Sequence, residues 1–228
     1  MSKIDELKNK IIQNGMTNED FEEFKLLLRR THNDFLRNQH CYTTAVSLPK
    51  ENSDQAIKLI QYGLETFVND GWLGKYRAYS NLAEIYYKTE HYNEAYQALQ
   101  KAIDFSNDSN EDYRIECAID LLWMKIHIDN FEYSNELEDY YNLYQKASEF
   151  SKAFINNQFK ITLAEIIIML HYEKYECAKQ AYNKLLKMIN SIPIISKSNI
   201  VKKHNISVRL EITPAVSEYL KQLKIFFK

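Results

Sequence analysis

Apolar residues recur every three or four positions over most of this chain, the spacing that places them on one face of an α-helix. The stretch from Ile4 to Ile12 has this spacing, and Gly15 follows it where glycine commonly ends a helix. Thr17 and Asp20 have the spacing of a capping box, with Asp in place of the usual Glu. This pair predicts the start of a second helix, which the apolar pattern carries towards Asn38.

Turn residues divide the next part of the pattern into two further helices. Pro49 marks a break before an amphipathic stretch that begins near Ser53. Residues 69–71, Asn-Asp-Gly, end that stretch, and another helix is predicted from about Trp72 to about Lys88. The segment from Tyr42 to Leu48 has no clear pattern and stays open.

The segment from Tyr76 to Ser109 combines two predicted helices with regularly spaced aromatic and small residues. In its spacing this set resembles the tetratricopeptide repeat family, whose unit of 34 residues is a pair of helices joined by a turn. The departures are Tyr for Trp, Ala for Gly, Leu for the second aromatic residue, and Asn107 where Pro is usual. The resemblance implies that the two helices pack closely at small residues while larger ones fill the groove to the next pair. The matching positions are Tyr79, Leu82, Ala83, Tyr86, Ala95, Leu99 and Ala102.

A second stretch, Leu163 to Ile189, repeats landmarks of the stretch from Leu82 to Ile103. Both open with Leu-Ala-Glu-Ile, and both continue with Tyr-x-x-Ala, which begins at Tyr92 in one and at Tyr175 in the other. The later stretch has two additional residues between these landmarks, which predicts a longer turn between its helices. Its apolar run predicts a buried core helix.

With a degenerate pair at about 112–128 and 134–150 and an earlier one at 17–69, the chain is predicted to contain about four antiparallel helix pairs. The family resemblance then implies an all-α, right-handed solenoid, because one repeat cannot bury its own apolar face. This repeat domain is predicted to span residues 1–190, with its second clear copy at about 160–190.

Residues 191–228 form a predicted C-terminal extension of different character. Apolar and polar residues alternate from Ile206 to Ile212, which is strand spacing. Thr213 and Pro214 have the types expected at the N-cap and first position of a terminal helix.

Composition favours a helical protein that stays in the cytoplasm. Only 4 Gly and 3 Pro interrupt 228 residues, which favours helices over many short strands. The three cysteines, Cys41, Cys117 and Cys177, are widely spaced and suit buried thiols in a reducing compartment. The first residues are charged where a signal peptide is apolar, and the apolar run from Ile161 to Leu170 is too short to span a membrane.

The charge and the missing motifs exclude several classes of function. A formal net charge of −2 gives no general attraction for nucleic acid. The 6 histidines are scattered without metal-ligand spacing, and no glycine-rich phosphate loop or G-x-S-x-G motif is found. We therefore expect no enzymatic activity, no metal and no cofactor. His91 and His171 are predicted to be solvated residues of the turns between helices.

The family resemblance also implies which residues would face a partner. The first helix of the clear repeat would direct one polar side towards the inner, concave face of the solenoid, where a tyrosine is a favourable anchor. The family's chaperone-binding members hold a terminal carboxylate with Lys, Asn and Arg, and that combination has no match across successive repeats here. Ordinary solvent-exposed helix positions remain the alternative interpretation. The residues are Arg77, Ser80, Asn81, Glu84, Tyr87 and Lys88.

These features predict a non-catalytic module that binds a protein or a peptide. A small cytoplasmic protein with degenerate repeats is consistent with a bacterial immunity protein that neutralises a toxin, and abundant Lys, Asn and Ile suggest a low-GC bacterium. Alternatives are a peptide-responsive regulator, an enzyme on an atypical helical fold, and assembly through the alternating segment on a partner's sheet edge. The oligomeric state stays open.

Overall fold

The computed structural model describes residues 2–106, 111–145, 155–191 and 212–228, and every regular element in these ranges is helical. The prediction of an all-α fold is confirmed for these residues. In chain order the helices are α1 (Lys3–Asn14), α2 (Asn18–Leu28), α3 (Asp34–Val46), α4 (Ser53–Thr66, after a 3₁₀ turn at Lys50–Asn52), α5 (Gly71–Lys88), α6 (Tyr92–Phe105), α7 (Glu111–Ile128), α8 (Asn135–Gln145), α9 (Ile155–His171), α10 (Tyr175–Ser191) and α11 (Pro214–Phe226).

The chain divides into two compact units, residues 1–117 and 118–228, with the boundary inside α7. In the first unit α1 packs against α2, α3 packs against α4 and α5, and α5 packs against α4 and α6. In the second unit α9 packs against α8 and α10. This division does not test the predicted boundary at residue 190, which stays a prediction.

Local sequence signals determine several helix ends. Thr17 Oγ1 accepts a hydrogen bond from the Asp20 amide and the Asp20 carboxylate accepts one from the Thr17 amide, both at 3.1 Å, so the predicted capping box is present. Gly15 ends α1 with a φ of +81°, a conformation that suits glycine. Thr213 caps α11 with Pro214 in its first turn, as predicted.

The second helix ends earlier than its apolar pattern indicates. It was predicted to run from Thr17 towards Asn38, but α2 ends at Leu28 and α3 begins at Asp34. Asn33 starts the new helix, because its side-chain oxygen accepts a hydrogen bond of 2.8 Å from the Leu36 amide. The segment left open by the sequence therefore belongs to α3 as far as Val46.

Three connections between consecutive helices share one backbone geometry. Glu90, Asn130 and Glu173 have positive φ angles of 65°, 51° and 56°. In each case the following amide donates to the carbonyl five residues earlier, as in a Schellman motif. These bonds join His91 to Tyr86 at 2.9 Å, Phe131 to Ile126 at 2.8 Å and Lys174 to Met169 at 2.8 Å.

The prediction of a longer turn in the second copy is wrong. Residues 89–91 connect α5 to α6, and residues 172–174 connect α9 to α10, so both turns have the same length. The two additional residues extend α9 beyond its Leu-Ala-Glu-Ile segment instead. Both turns use the Schellman geometry, which fixes the turn and leaves the helix to absorb the insertion.

Three features predicted from the sequence lie wholly or partly outside the described residues. The strand predicted for Ile206 to Ile212 falls on residues 206–211, and Asn107 is also outside. The helix predicted to reach residue 150 is described as far as Gln145, the last residue of α8.

Candidate binding surface

Helix α5 separates buried side chains from accessible ones. Its fully buried positions include Tyr76, Ala78 and Ile85, which are 6%, 0% and 5% exposed. The seven positions on α5 and α6 that match the repeat pattern are all buried or half-buried. Leu82, Ala83, Ala95, Leu99 and Ala102 are buried, whereas Tyr79 and Tyr86 are half-buried.

The residues that the resemblance assigns to the groove lie on the accessible side of α5. Arg77, Glu84 and Lys88 are exposed, and Ser80, Asn81 and Tyr87 are half-buried. Lys88 Nζ and Glu84 Oε1 form an ion pair of 2.6 Å. Asn81 Nδ2 donates a 2.8 Å hydrogen bond to the Arg77 carbonyl. The structure brings these residues to one helix face, and their role in binding stays a prediction.

Arg77 lies next to phenol groups from two other helices. Its guanidinium approaches Tyr113 of α7 and Tyr42 of α3, and these contacts raise the pKa of Arg77 against the opposing effect of burial. Burial raises the pKa of the Tyr42 hydroxyl, and Arg77 opposes that shift. Because the Tyr42 hydroxyl has no hydrogen bond of normal geometry, the contact with Arg77 is close but incomplete. Within the described ranges no carboxylate forms an ion pair with Arg77.

Two further aromatic rings adjoin this position. The Tyr113 ring contacts Trp72 and Tyr76 edge-on, at centroid distances of 5.7 and 4.9 Å. The Tyr76 hydroxyl also donates a 3.4 Å hydrogen bond to the Tyr113 carbonyl. We call Arg77, Trp72 and Tyr113, together with the buried Tyr42 that lies beside Arg77, the Arg77 surface. A guanidinium beside aromatic rings can donate to a carboxylate or a carbonyl of a partner while the rings supply apolar contact.

Sequence reasoning placed Arg77 but missed the other three members of this surface. Tyr42, Trp72 and Tyr113 belong to α3, α5 and the first part of α7, and the spacing of residues within one helix does not show which side chains from other helices meet it. The richness in tyrosine, 17 residues, was the available signal, but it does not say which tyrosines come together.

A second polar cluster lies within the second unit. The hydroxyls of Tyr133 and Tyr172 donate to the same oxygen of Glu138, at 2.6 and 2.8 Å, and hold the pKa of that carboxyl below its usual range. The Tyr133 ring stacks on His171 with centroids 3.6 Å apart. This cluster connects the residues before α8 to those after α9. Its polar groups are occupied by one another, so we assign it to the stability of the unit.

The remaining candidate residues have structural explanations. Burial raises the pKa of the Cys41 thiol, and Cys117 is buried as well, whereas Cys177 is exposed, contrary to the prediction of buried thiols. His91 is exposed in its turn, as predicted, and His171 is exposed as the last residue of α9, next to the equivalent turn.

In the part of the chain that the structure describes, no three or more His, Cys, Asp or Glu side chains are grouped in a way that could bind a metal ion. No helix in the described ranges has both the length and the apolar character needed to cross a membrane.

No protein-family model, no curated protein and no solved structure matches the chain.

Proposed function

We propose that this chain is a non-catalytic, tetratricopeptide-like protein that binds a protein or peptide on the accessible face of α5. One observation carries the proposal: on α5 and α6 the positions that match the repeat's packing set are buried or half-buried, and the groove set lies on the accessible side of α5. Small residues also stand where such a repeat needs them, since Ala83 and Ala95 are 3% and 0% exposed.

The proposal includes a solenoid arrangement of helix pairs. In the first unit α5 packs against α3 and α4 as well as against α6. Stacked repeats make such contacts, because each pair covers the apolar face of its neighbour. Right-handed stacking of about four pairs is the arrangement that we propose on this basis.

The Arg77 surface indicates the chemistry of the partner segment. An exposed guanidinium with no carboxylate partner in the described residues favours an anionic or carbonyl-rich segment, and Trp72 and Tyr113 favour an apolar residue beside it. Arginine, tryptophan and tyrosine are also the residue types most enriched at energetic centres of interfaces.

Affinity purification of the tagged protein from its native cells tests this proposal. The decisive variant is Arg77→Glu, and its matched control is Lys101→Glu, which changes an exposed charge on α6. Loss of a central interface residue costs about 2 kcal/mol or more, which is roughly a 30-fold loss of affinity. We expect one stoichiometric partner that the wild type and the control retain and Arg77→Glu loses. Equal retention by both variants, with unchanged circular dichroism, would show that the Arg77 surface is not the binding site.

The identity of the partner separates the functional classes. A toxin bound one-to-one would support a cytoplasmic bacterial immunity protein, which remains our leading proposal within the binding class. A short peptide that changes hydrogen exchange of the repeats would support a regulator instead. Conversion of any bound small molecule would support the enzymatic alternative.

A further inference from the structure

A buried pair of polar side chains joins α3 to the start of α5. Asn38 of α3 is 0% exposed and Asp70 is 5% exposed, and Asn38 Nδ2 donates a hydrogen bond to Asp70 Oδ2. Asp70 occupies the N-cap position of α5, yet its side chain makes no capping hydrogen bond. The carboxylate is therefore directed to Asn38 rather than to the amides of its own helix.

Two glycines make room for this pair. A Cβ atom at Gly74 of α5 would lie 2.5 Å from Asp70 Oδ2, and one at Gly63 of α4 would overlap Asn38 Oδ1. Glycine weakens a helix interior relative to alanine. Two of the four glycines of the chain thus stand inside helices where any side chain would displace the pair, so the junction involves α3, α4 and α5 together.

Each member of the pair keeps one oxygen without a hydrogen-bond donor among the described residues. These atoms are Asn38 Oδ1 and Asp70 Oδ1, and both are buried. Buried acceptors without donors destabilise a fold, and a buried charge does so more strongly. One proton on Asp70 Oδ1 would supply the missing donor to Asn38 Oδ1 while the existing hydrogen bond remains. The two side chains would then form a closed acid–amide pair with two hydrogen bonds, after small rotations about their terminal torsions.

The surroundings favour uptake of this proton. Burial raises the pKa of Asp70, the hydrogen bond from Asn38 and the charge of Lys75 lower it, and the charge of Asp34 raises it again, with a raised pKa as the net result. The phenol of Tyr42 on α3 lies in the same electrostatic environment, and α4 contributes Gly63. Lys75 Nζ itself lies 5.4 Å from the centre of the Phe105 ring.

We propose that the Asn38–Asp70 junction is a proton-dependent clamp that holds α3 and α5 together more tightly when Asp70 is protonated. Because α3 carries Tyr42 and α5 carries Arg77, the clamp controls the two helices that form most of the Arg77 surface. The clamp is a property of the fold, so its test does not require that the surface bind a partner.

The direction of the pH dependence follows from linkage. The folded protein binds the Asp70 proton more tightly than the unfolded chain, in which Asp titrates near a pKa of about 3.9. The stabilisation is fully present below that value and is lost as the pH rises through the folded-state pKa of Asp70. Asp20 acts in the opposite direction, because its hydrogen bonds hold its pKa below the usual value despite burial. The contribution of Asp70 to the pH dependence of stability must therefore be measured at that residue or as a difference between variants.

Carbon-13 NMR titration of the side-chain carboxyls in the full-length wild type, with assignments from triple-resonance spectra, is the primary test. We expect Asp70 to titrate above the ordinary Asp value, because burial of its carboxylate outweighs the hydrogen bond from Asn38 and the charge of Lys75. The side-chain amide of Asn38 should shift with the same midpoint. Titration of Asp70 at or below the ordinary value, or an Asn38 amide that does not respond, would overturn the proposal.

Hydrogen exchange supplies an independent readout with a matched control. After correction for intrinsic rates, the opening equilibria of the α3 and α5 amides should fall about tenfold for each unit of raised pKa as the pH is lowered through the Asp70 titration. Asp70→Asn should abolish this dependence, because two amides can form both hydrogen bonds at every pH. Asp104→Asn, at an exposed position on α6, should retain it. A wild-type pH dependence in Asp70→Asn would contradict the clamp, and the titration of the wild type decides the question if that variant does not fold.

Discussion

The two stretches that begin with Leu-Ala-Glu-Ile, one in α5 and one in α9, have the same local design in different surroundings. Each is followed by a three-residue turn with one Schellman hydrogen bond, and each second helix starts at a tyrosine, Tyr92 or Tyr175. The alanine three residues further on, Ala95 or Ala178, is 0% exposed in both. The motif therefore specifies the turn and the close contact of two helices.

The first helices of these two pairs differ in how much of their surface is covered. From Phe159 to Ile168 of α9, every residue except Glu165 is buried. In α5, by contrast, Arg77, Glu84 and Lys88 are exposed. Of these two helices, α5 is the one with a polar face that a partner can reach. The same motif therefore occurs in a largely buried helix in the second unit and in a helix with an accessible polar face in the first.

The largest loss of stability should come from replacing the buried alanine that both helix pairs share, Ala95 or Ala178, with arginine. We expect Ala95→Arg and Ala178→Arg each to lower the free energy of unfolding by about 4 kcal/mol or more, since overpacking and an unpaired buried charge add together. Chemical denaturation followed by circular dichroism measures this loss. Gln97→Arg, at an exposed position of α6, is the control and should stay within about 0.5 kcal/mol of the wild type. An unchanged melting temperature in Ala95→Arg would show that Ala95 is not a close-packed position equivalent to Ala178, and would count against the repeat assignment.

Truncating the first leucine of the Leu-Ala-Glu-Ile segment should destabilise the protein more in α9 than in α5, because the leucine in α9 is more deeply buried. Leu163 is 0% exposed and Leu82 is 7% exposed. We expect Leu163→Ala to cost about 3 to 5 kcal/mol and Leu82→Ala about 2 to 3 kcal/mol, because the more enclosed site collapses less around the cavity. Denaturant unfolding of both variants provides the measurement. A larger loss at Leu82 would mean that the difference in coverage does not reflect a difference in packing.

Removing one partner of an ion pair should lower the free energy of unfolding several times more on α9 than on α5. Lys160 of α9 pairs with Asp120 at 3.0 Å and its side chain is only 6% exposed, whereas Lys88 and Glu84 are 47% and 49% exposed. Asp120→Ala should cost about 2 kcal/mol because it removes a carboxylate that pairs with a buried ammonium group. Glu84→Ala should cost about 0.4 kcal/mol, and that small loss should disappear at high salt. Similar losses for both variants would contradict the comparison.

A smaller loss of stability than that from Asp120→Ala should come from changing Gly74, a glycine inside α5 that has no counterpart in α9. Alanine normally stabilises a helix interior relative to glycine by about 1 kcal/mol, but a Cβ at Gly74 would meet Asp70 Oδ2 at 2.5 Å. We expect Gly74→Ala to destabilise the protein by about 1 kcal/mol instead. In an Asp70→Ala background the same change should become neutral or stabilising, which a double-mutant cycle measures. A stabilising Gly74→Ala in the wild-type background would show that Asp70 moves freely.

Helix positions could be predicted where the signals are local. The capping box at Thr17 and the cap at Thr213 depend on residues within one turn of the helix end, so the sequence contains the whole interaction. The break before α3 was missed because Asn33 is a capping residue without the Glu or Pro that usually accompanies one, and apolar spacing continues on both sides. The alternating segment before Thr213 predicts a strand, which residues outside the described ranges leave untested.

The candidate site could be predicted only for residues on one helix. Helical periodicity is sufficient to place Arg77 and Lys88 on the accessible face of α5. It is not sufficient to bring Tyr42 and Tyr113 to Arg77, because these side chains come from helices distant in the sequence. The glycines inside α4 and α5 were a visible anomaly, yet only their contacts with Asn38 and Asp70 explain them.

The sequence by itself determined the helical character and several helix ends, because each depends on hydrogen bonds and apolar spacing within a few residues. Tertiary structure alone decided which helices pack against one another, which tyrosines surround Arg77, and that Asp70 is buried against Asn38 instead of capping α5. These features depend on the packing of separate helices, in which burial, excluded volume and loss of hydration act on groups that the linear spacing does not relate.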